Sequence, residues 1–216
     1  MRILFATGNE GKLREAREIL GPGFVLCAPA DFGIGSEPEE TGSSFRENSL
    51  LKARFYAERT GGIACFADDS GLEVDALDGA PGIYSARYAG PGHDFAANID
   101  RLLRELARKE AELGPEGIAR VEAGRGKPFR SARFRCCVTL LLPGAEPVFF
   151  DGAVEGRIAR ERSGGGGFGY DPVFIPDVYP DRTLAEVEET AKNAMSHRGG
   201  ALRKMAAFLA GQPLHP

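Results

Sequence analysis

Apolar positions recur along this chain in two periods, about 3.6 residues and short continuous runs, and the switches between them predict alternating strands and helices. Residues 2–6 read as a short buried strand. The polar turn Gly8-Asn9-Glu10-Gly11-Lys12 then opens a helix whose Leu13, Ala16, Ile19 and Leu20 share one face, stopped by Gly21-Pro22-Gly23. Residues 24–28 suit a second strand. Ser44-Phe45-Arg46-Glu47 is a capping-box pattern that predicts a helix to about residue 60, with Asn48 and Lys52 one turn apart on the same face. Residues 63–67 read as a third buried strand, with Asp68-Asp69-Ser70-Gly71 expected at its carboxyl end, where open α/β sheets bind ligands. Turn signals at Gly79-Ala80-Pro81-Gly82 and Gly90-Pro91-Gly92 precede a helix near 94–111, striped by Phe95, Ile99, Leu102, Leu103 and Leu106. Residues 108–131 carry charges with little apolar period and are expected as a surface loop, an excursion rather than a domain boundary. Strands near 132–142 and 147–160 follow, and their short link through Pro143-Gly144 favours antiparallel pairing. A glycine run at 164–167 leads to Phe168-Gly169-Tyr170-Asp171 and a short strand. A capped helix is expected from Thr183, with Glu186 three residues on, and a last helix over about 198–210 ends at Gly211.

Composition narrows this α/β reading. With 216 residues, 43% hydrophobic and 27% charged, the chain is long enough for one sizeable domain over 1–216 without disulfides or structural metals. No apolar run nears the ~18 residues of a membrane span. The formal charge of −4 argues against a general binder of nucleic acid polymers, so an anionic ligand must be met by a local pocket. Cys27, Cys65, Cys136 and Cys137 show no C-x-x-C spacing, and residues 1–7 are too short an apolar stretch for a signal peptide, so reduced thiols and a cytoplasmic address are expected. Glycine stands out: 29 residues, near twice the usual ~7%, without repeat or low complexity. Much of the backbone must turn tightly or lie close to something.

Four constellations could carry chemistry. Thr7, Gly8, Asn9, Glu10, Gly11 and Lys12 sit between strand and helix, where free N–H groups, glycines and a lysine suit a phosphate cradle, although on these residues alone an ordinary βα turn with a solvated lysine is the favoured reading. Walker A spacing is missing, and Leu13 stands where a magnesium-binding hydroxyl would be. In the pair Asp68-Asp69, neighbouring side chains on extended backbone point opposite ways, so one carboxylate can face a ligand while the other is tied to a cation or to backbone. An acidic stretch over 31–47, five carboxylates against Arg46, brings Glu39 and Glu40 as further hard oxygen ligands suited to Mg²⁺. The aromatic residues of Gly167-Phe168-Gly169-Tyr170-Asp171-Pro172 offer a face for a heterocycle, and a sheet corner is the plain alternative. Lys192 and Ser196-His197-Arg198-Gly199 supply a cap and donors at the entrance of the last helix. Together the four describe a nucleoside polyphosphate site.

The same residues run in order as ATGNEGK at 6–12, EETGSSFRENSLLKAR at 39–54, ADDSGLEVDAL at 67–77, GAPGIYSARYAG at 79–90, GGFGYDPVFIP at 166–176 and K-x₃-SHRG from 192. In this the chain resembles the inosine triphosphate pyrophosphatase family nearly end to end. The resemblance implies a long mixed central sheet flanked by helices, two lobes around an active-site cleft, and a homodimer. It implies hydrolysis of XTP, ITP or dITP to monophosphate and pyrophosphate with Mg²⁺. Carried over residue by residue, it assigns the triphosphate to Thr7, Gly8, Asn9, Glu10, Gly11, Lys12 and Lys52. Asp69 becomes general base and metal ligand, with Glu39 or Glu40 completing the metal site. Nucleoside and base fall to Ser70, Phe168, Gly169, Tyr170, Asp171, Lys192, His197 and Arg198. Residues 108–131 depart from the family by their length. A nucleotide-binding regulator without catalysis and a phosphatase releasing orthophosphate are the competing classes.

Overall fold

The computed structural model describes residues 1–211. Six strands form one mixed sheet in the order β2-β1-β3-β4-β5-β6: β1 Arg2–Phe5, β2 Val25–Cys27, β3 Cys65–Val74, β4 Ser131–Leu141, β5 Val148–Ile158 and β6 Phe174–Pro176. Among the described residues five α-helices accompany it: α1 Glu10–Leu20, α2 Phe45–Arg59, α3 Phe95–Arg125, α4 Glu189–Met195 and α5 His197–Leu209. β1 runs parallel to both β2 and β3, while β6 is antiparallel to β5. The chain divides into two compact units. One comprises Met1–Ser70, Arg135–Ala153 and the chain from Asn193; the other comprises Gly71–Phe134 and Val154–Lys192. No helix among the described residues is long and apolar enough to cross a membrane.

In the first unit the two-residue period of the strands sorts the core into two clusters. Ile3 and Phe5 of β1 join Ala64 and Phe66 beside Leu13, Ala16 and Leu20 of α1 and Ala201, Leu202 and Met205 of α5. Leu4 and Ala6, the intervening residues, join Cys65 and Ala67 beside Ala53 and Tyr56 of α2. Helices α1 and α5 therefore cover one face of the strands and α2 the other. Phe5 and Phe66 stack with ring centroids 4.4 Å apart. β3 is longer than its apolar run predicts: it continues through Asp68 and Asp69 to Val74, so the acid pair lies within the strand and not at its end. Alternation then decides the neighbours of each carboxylate. Asp68 falls on the side of α1 and α5, and Asp69 on the side of α2.

The second unit carries the largest departure from the sequence reading. Residues 108–125 are not a loop; they extend α3 to Arg125, across a break at Gly114 (φ 62°, ψ 176°) followed by Pro115. This stretch lacks an apolar stripe because ion pairs and caps hold it instead. Arg130 grips both oxygens of Glu110 at 2.8 Å, Glu122 accepts from the Phe129 amide at 2.7 Å, and Gly126 closes the helix in the left-handed region. The predicted helix at Thr183 shrinks to a single 3₁₀ turn, Leu184–Glu186, with the expected capping box in place.

Candidate active site

The β3 alternation builds the site in the first unit. Asp68, 2% exposed, receives Lys12 Nζ on both oxygens at 2.9 Å and Arg198 Nε on Oδ2 at 2.9 Å. The other end of the Arg198 guanidinium donates to Glu15 at 2.8 Å, and Ser196, the cap of α5, donates to the same carboxylate at 2.6 Å. Burial opposes the Asp68 anion, but Lys12 and Arg198, with Lys52 behind them, outweigh it and hold the carboxyl far below its usual range. This cluster ties α1, β3 and α5 together and leaves Asp68 fully committed.

Asp69 stands on the opposite face in a different setting. Its Oδ1 accepts from Lys52 Nζ at 2.9 Å, and its Oδ2 from Asn48 Nδ2 at 3.3 Å. Lys52 Nζ also donates to Glu40 at 2.9 Å, so two carboxylates converge on one ammonium. Asn48 and Lys52 are one turn apart on α2, placed by Ser44, which caps the helix by accepting from the Glu47 amide at 3.1 Å. The return arm of the predicted capping box reaches one residue further out, since Glu47 accepts from Ser43 and not from Ser44. Asn48 also accepts the Gly42 amide at 2.8 Å, anchoring the acidic loop that carries Glu40. Burial raises the Asp69 carboxyl, with Lys52 pulling it down and Glu40 and Asp68 adding to the rise.

The turn before α1 has the geometry of an N-terminal cradle. Thr7 Oγ1 accepts the Asn9 amide at 3.2 Å, and Asn9 caps the helix through the Lys12 amide at 3.1 Å. Glu10 and Gly11 form the first turn. A residue outside the sequence-derived set sits here: Glu37 Oε1 lies 3.5 Å from the place a Cβ on Gly8 would take. Glu39 is exposed and enters none of the bonds around Lys52, whereas Glu40 does. Among the described residues no three His, Cys, Asp or Glu side chains converge as a metal cage, so Glu39, Glu40 and Asp69 are not assembled as one set. The pair Glu40 and Asp69 is all-oxygen, the donor chemistry of a hard cation that takes its other ligands from water and phosphate.

Three expectations change in the donor groups. Arg198 is not a free donor for a ligand: it is 5% exposed and spends its nitrogens on Glu15, Asp68 and, at 3.4 Å, Ser70. It braces Asp68 from inside. His197 is partly buried; burial first and Arg198 second drop its imidazole to about 3, so it is neutral at physiological pH. In the second unit only one aromatic residue of the Phe168-Gly169-Tyr170-Asp171 segment offers a face. Phe168 is 62% exposed, while Tyr170 is 3% exposed and donates its hydroxyl to the Ser85 carbonyl at 2.9 Å. Asp171 is also buried, accepting the Phe168 amide and Lys192 Nζ at 3.0 Å each, and that ammonium lies 5.3 Å from the Phe168 ring centroid. Gly167 is obligatory at φ +75°, because a Cβ there would fall 2.2 Å from Asp171 Oδ2.

Glu15 and Asn48 carry structural duties in the site that sequence reasoning did not assign. The available signal was position: Glu15 follows Lys12 by one helical turn, and Asn48 precedes Lys52 by one.

The Ham1 family profile matches residues 3–208. A dITP/XTP pyrophosphatase of Thioalkalivibrio sulfidiphilus is 47% identical over 98% of this chain and 100% of its own. One of Bacillus subtilis is 43% identical over 95% of this chain and 96% of its own. Among solved structures, a HAM1 protein from Coxiella burnetii superposes with a TM-score of 0.84 at 37% identity, covering 98% of this chain and 99% of that one. With the family profile spanning nearly all of the chain that builds the Asp68 and Asp69 clusters, this protein belongs to the Ham1 family.

Proposed function

We propose that the chain hydrolyses the non-standard purine nucleoside triphosphates XTP, ITP and dITP to the monophosphate and pyrophosphate, acting as a homodimer in the cytoplasm. One observation carries the reading: β3 splits adjacent carboxylates, locking Asp68 into a buried ion cluster and leaving Asp69 with Lys52, Asn48 and Glu40. The division gives one structural and one reactive acid. Asp69 would orient and deprotonate the attacking water, held at Oδ2 by Asn48. Lys52 and Lys12, both paired with carboxylates, would turn to the triphosphate and to charge developing on pyrophosphate, beside the amides of residues 7–12. Glu40 and Asp69 would hold Mg²⁺, which when bound neutralises triphosphate charge.

For the base, Phe168 supplies a stacking face and Lys192 a donor beside it. A 6-oxo purine offers such a donor an acceptor at its edge where a 6-amino purine brings another donor, which favours hypoxanthine and xanthine over adenine. The test is incubation with ITP, XTP, dITP, GTP and ATP in Mg²⁺, with the phosphorus products resolved. Pyrophosphate as the sole inorganic product from ITP, XTP and dITP is expected. Orthophosphate would point to a phosphatase, and bound nucleotide without turnover to a regulator.

A further inference from the structure

The hydrophobic pattern places Phe95 in the apolar stripe of α3, yet the residue is 42% exposed while Ile99, Leu102 and Leu106 on the same helix are buried. The exposure does not come from slack at the helix start. Asp94 caps the helix by accepting the Ala97 amide at 3.0 Å. Asn98, 1% exposed, accepts from the Ala89 amide at 2.6 Å and donates to the Ala86 carbonyl at 3.0 Å. Arg162, just ahead of the glycine run, donates to the Ala96 carbonyl at 2.8 Å and to Asp100 at 2.6 Å. The first turn of α3 is thereby fastened to the segment that leads to Phe168.

Gly169 connects the two rings. A Cβ built on it would lie 3.8 Å from Cε1 and 3.9 Å from Cδ1 of Phe95, the nearest atoms apart from those of its chain neighbours Phe168 and Tyr170. At φ +61° the position favours glycine in any case, so residue 169 places no side chain against the Phe95 ring. On the other side of Gly169 in the chain stands Phe168, with its exposed ring and the Lys192 ammonium. One exposed phenylalanine thus precedes this glycine in the chain and another lies beside it in space, on backbone held by several hydrogen bonds.

We propose that Phe95 is a second aromatic wall of the base platform, a specificity-determining residue that contacts the purine held by Phe168. The inference rests on the reading of residues 168–171 as the base site. A planar heterocycle is the ligand that two rings, a glycine gap and one ammonium suit together: it covers apolar faces and accepts from the cation at its edge. A phosphate chain gains nothing from either ring. An apolar partner surface would cover the rings but would desolvate the ammonium of Lys192, which pairs with Asp171.

Equilibrium dialysis of IMP against the full-length protein tests this, alongside ITP kinetics with Mg²⁺. Phe95→Ala should weaken IMP binding and raise the KM for ITP by about tenfold, with kcat within about twofold, the scale of one lost base–aromatic stack. Inhibition by inorganic tripolyphosphate, which has no base, should not change. Phe95→Tyr should restore IMP affinity and Phe95→Leu should not, which separates stacking from plain apolar packing. Wild-type IMP affinity in Phe95→Ala while Phe168→Ala loses it overturns the proposal and leaves the pyrophosphatase reading standing. Absence of IMP binding and of ITP turnover in the unmodified protein sinks both. A fall in oligomeric state of Phe95→Ala by light scattering with unchanged IMP affinity also overturns it, assigning the ring to a protein contact.

Discussion

At the residue scale, the proposed chemistry depends on which way two adjacent carboxylates point. Asp69→Asn keeps the shape and the contact to Lys52 while removing the proposed base, so turnover of ITP should fall to background with nucleotide binding retained. Near-normal hydrolysis in that variant would take Asp69 out of the base role. Asn48 makes a subtler case. It is fully buried and joins Asp69 to the Gly42 amide, so Asn48→Ala leaves a carboxylate oxygen and an amide without partners. A loss of about 1–3 kcal/mol in folding stability is expected, read by urea denaturation, together with a lower kcat. The opposed directions of Asp68 and Asp69 could be read from sequence because strand alternation is a local rule. The role of Arg198 could not. Its charge suggested a ligand donor, but its partner Glu15 is 183 positions away in the chain, and only the packing of α1 on α5 brings the two together.

At the element scale, helices with an apolar stripe or a strong cap, such as α1 and α2, were legible to within a residue or two. The continuation of α3 past residue 108 was not, because Arg130, Glu110 and Glu122 stabilise it through charge and capping, which leave no hydrophobic period. The same limit applied to β3, whose passage through two aspartates is tolerated only because cations wait on both faces. Close approach of backbones is another property that composition signals and pattern does not locate. Gly152 of β5 lies beneath the start of α5: a Cβ there would fall 2.0 Å from the His197 carbonyl oxygen and 2.8 Å from the Ala201 nitrogen. Gly152→Ala must therefore push α5 off the strand, disturbing the helix that carries Arg198. A destabilisation of about 3 kcal/mol or more is expected by denaturant titration. Stability within about 0.5 kcal/mol of the parent would contradict this packing.

At the scale of the whole molecule, a net charge of −4 conceals a fold that keeps its cations at work inside. Lys12, Lys52 and Arg198 each hold one or more carboxylates, and one consequence concerns acid stability through His197. Burial, reinforced by Arg198 and Lys12 and only partly offset by Asp68, keeps this imidazole neutral down to about pH 3. In the unfolded chain a histidine titrates near 6.5. Between those values the unfolded state binds a proton that the folded state refuses, so acidification favours unfolding by at most about 1.4 kcal/mol per pH unit. The stability is thus fully present above pH ~6.5 and is lost progressively as the pH falls toward 3. Ordinary carboxylates titrate near 4, so the interval from pH 7 to 5.5 isolates the histidine from most of them. The midpoint of thermal unfolding should decline across that interval, and His197→Gln, which has no proton to take up, should flatten the decline. An equal slope in both proteins would mean that the imidazole charges freely in the folded state, and that α5 opens there more readily than its contacts with Glu15 and Asp68 imply.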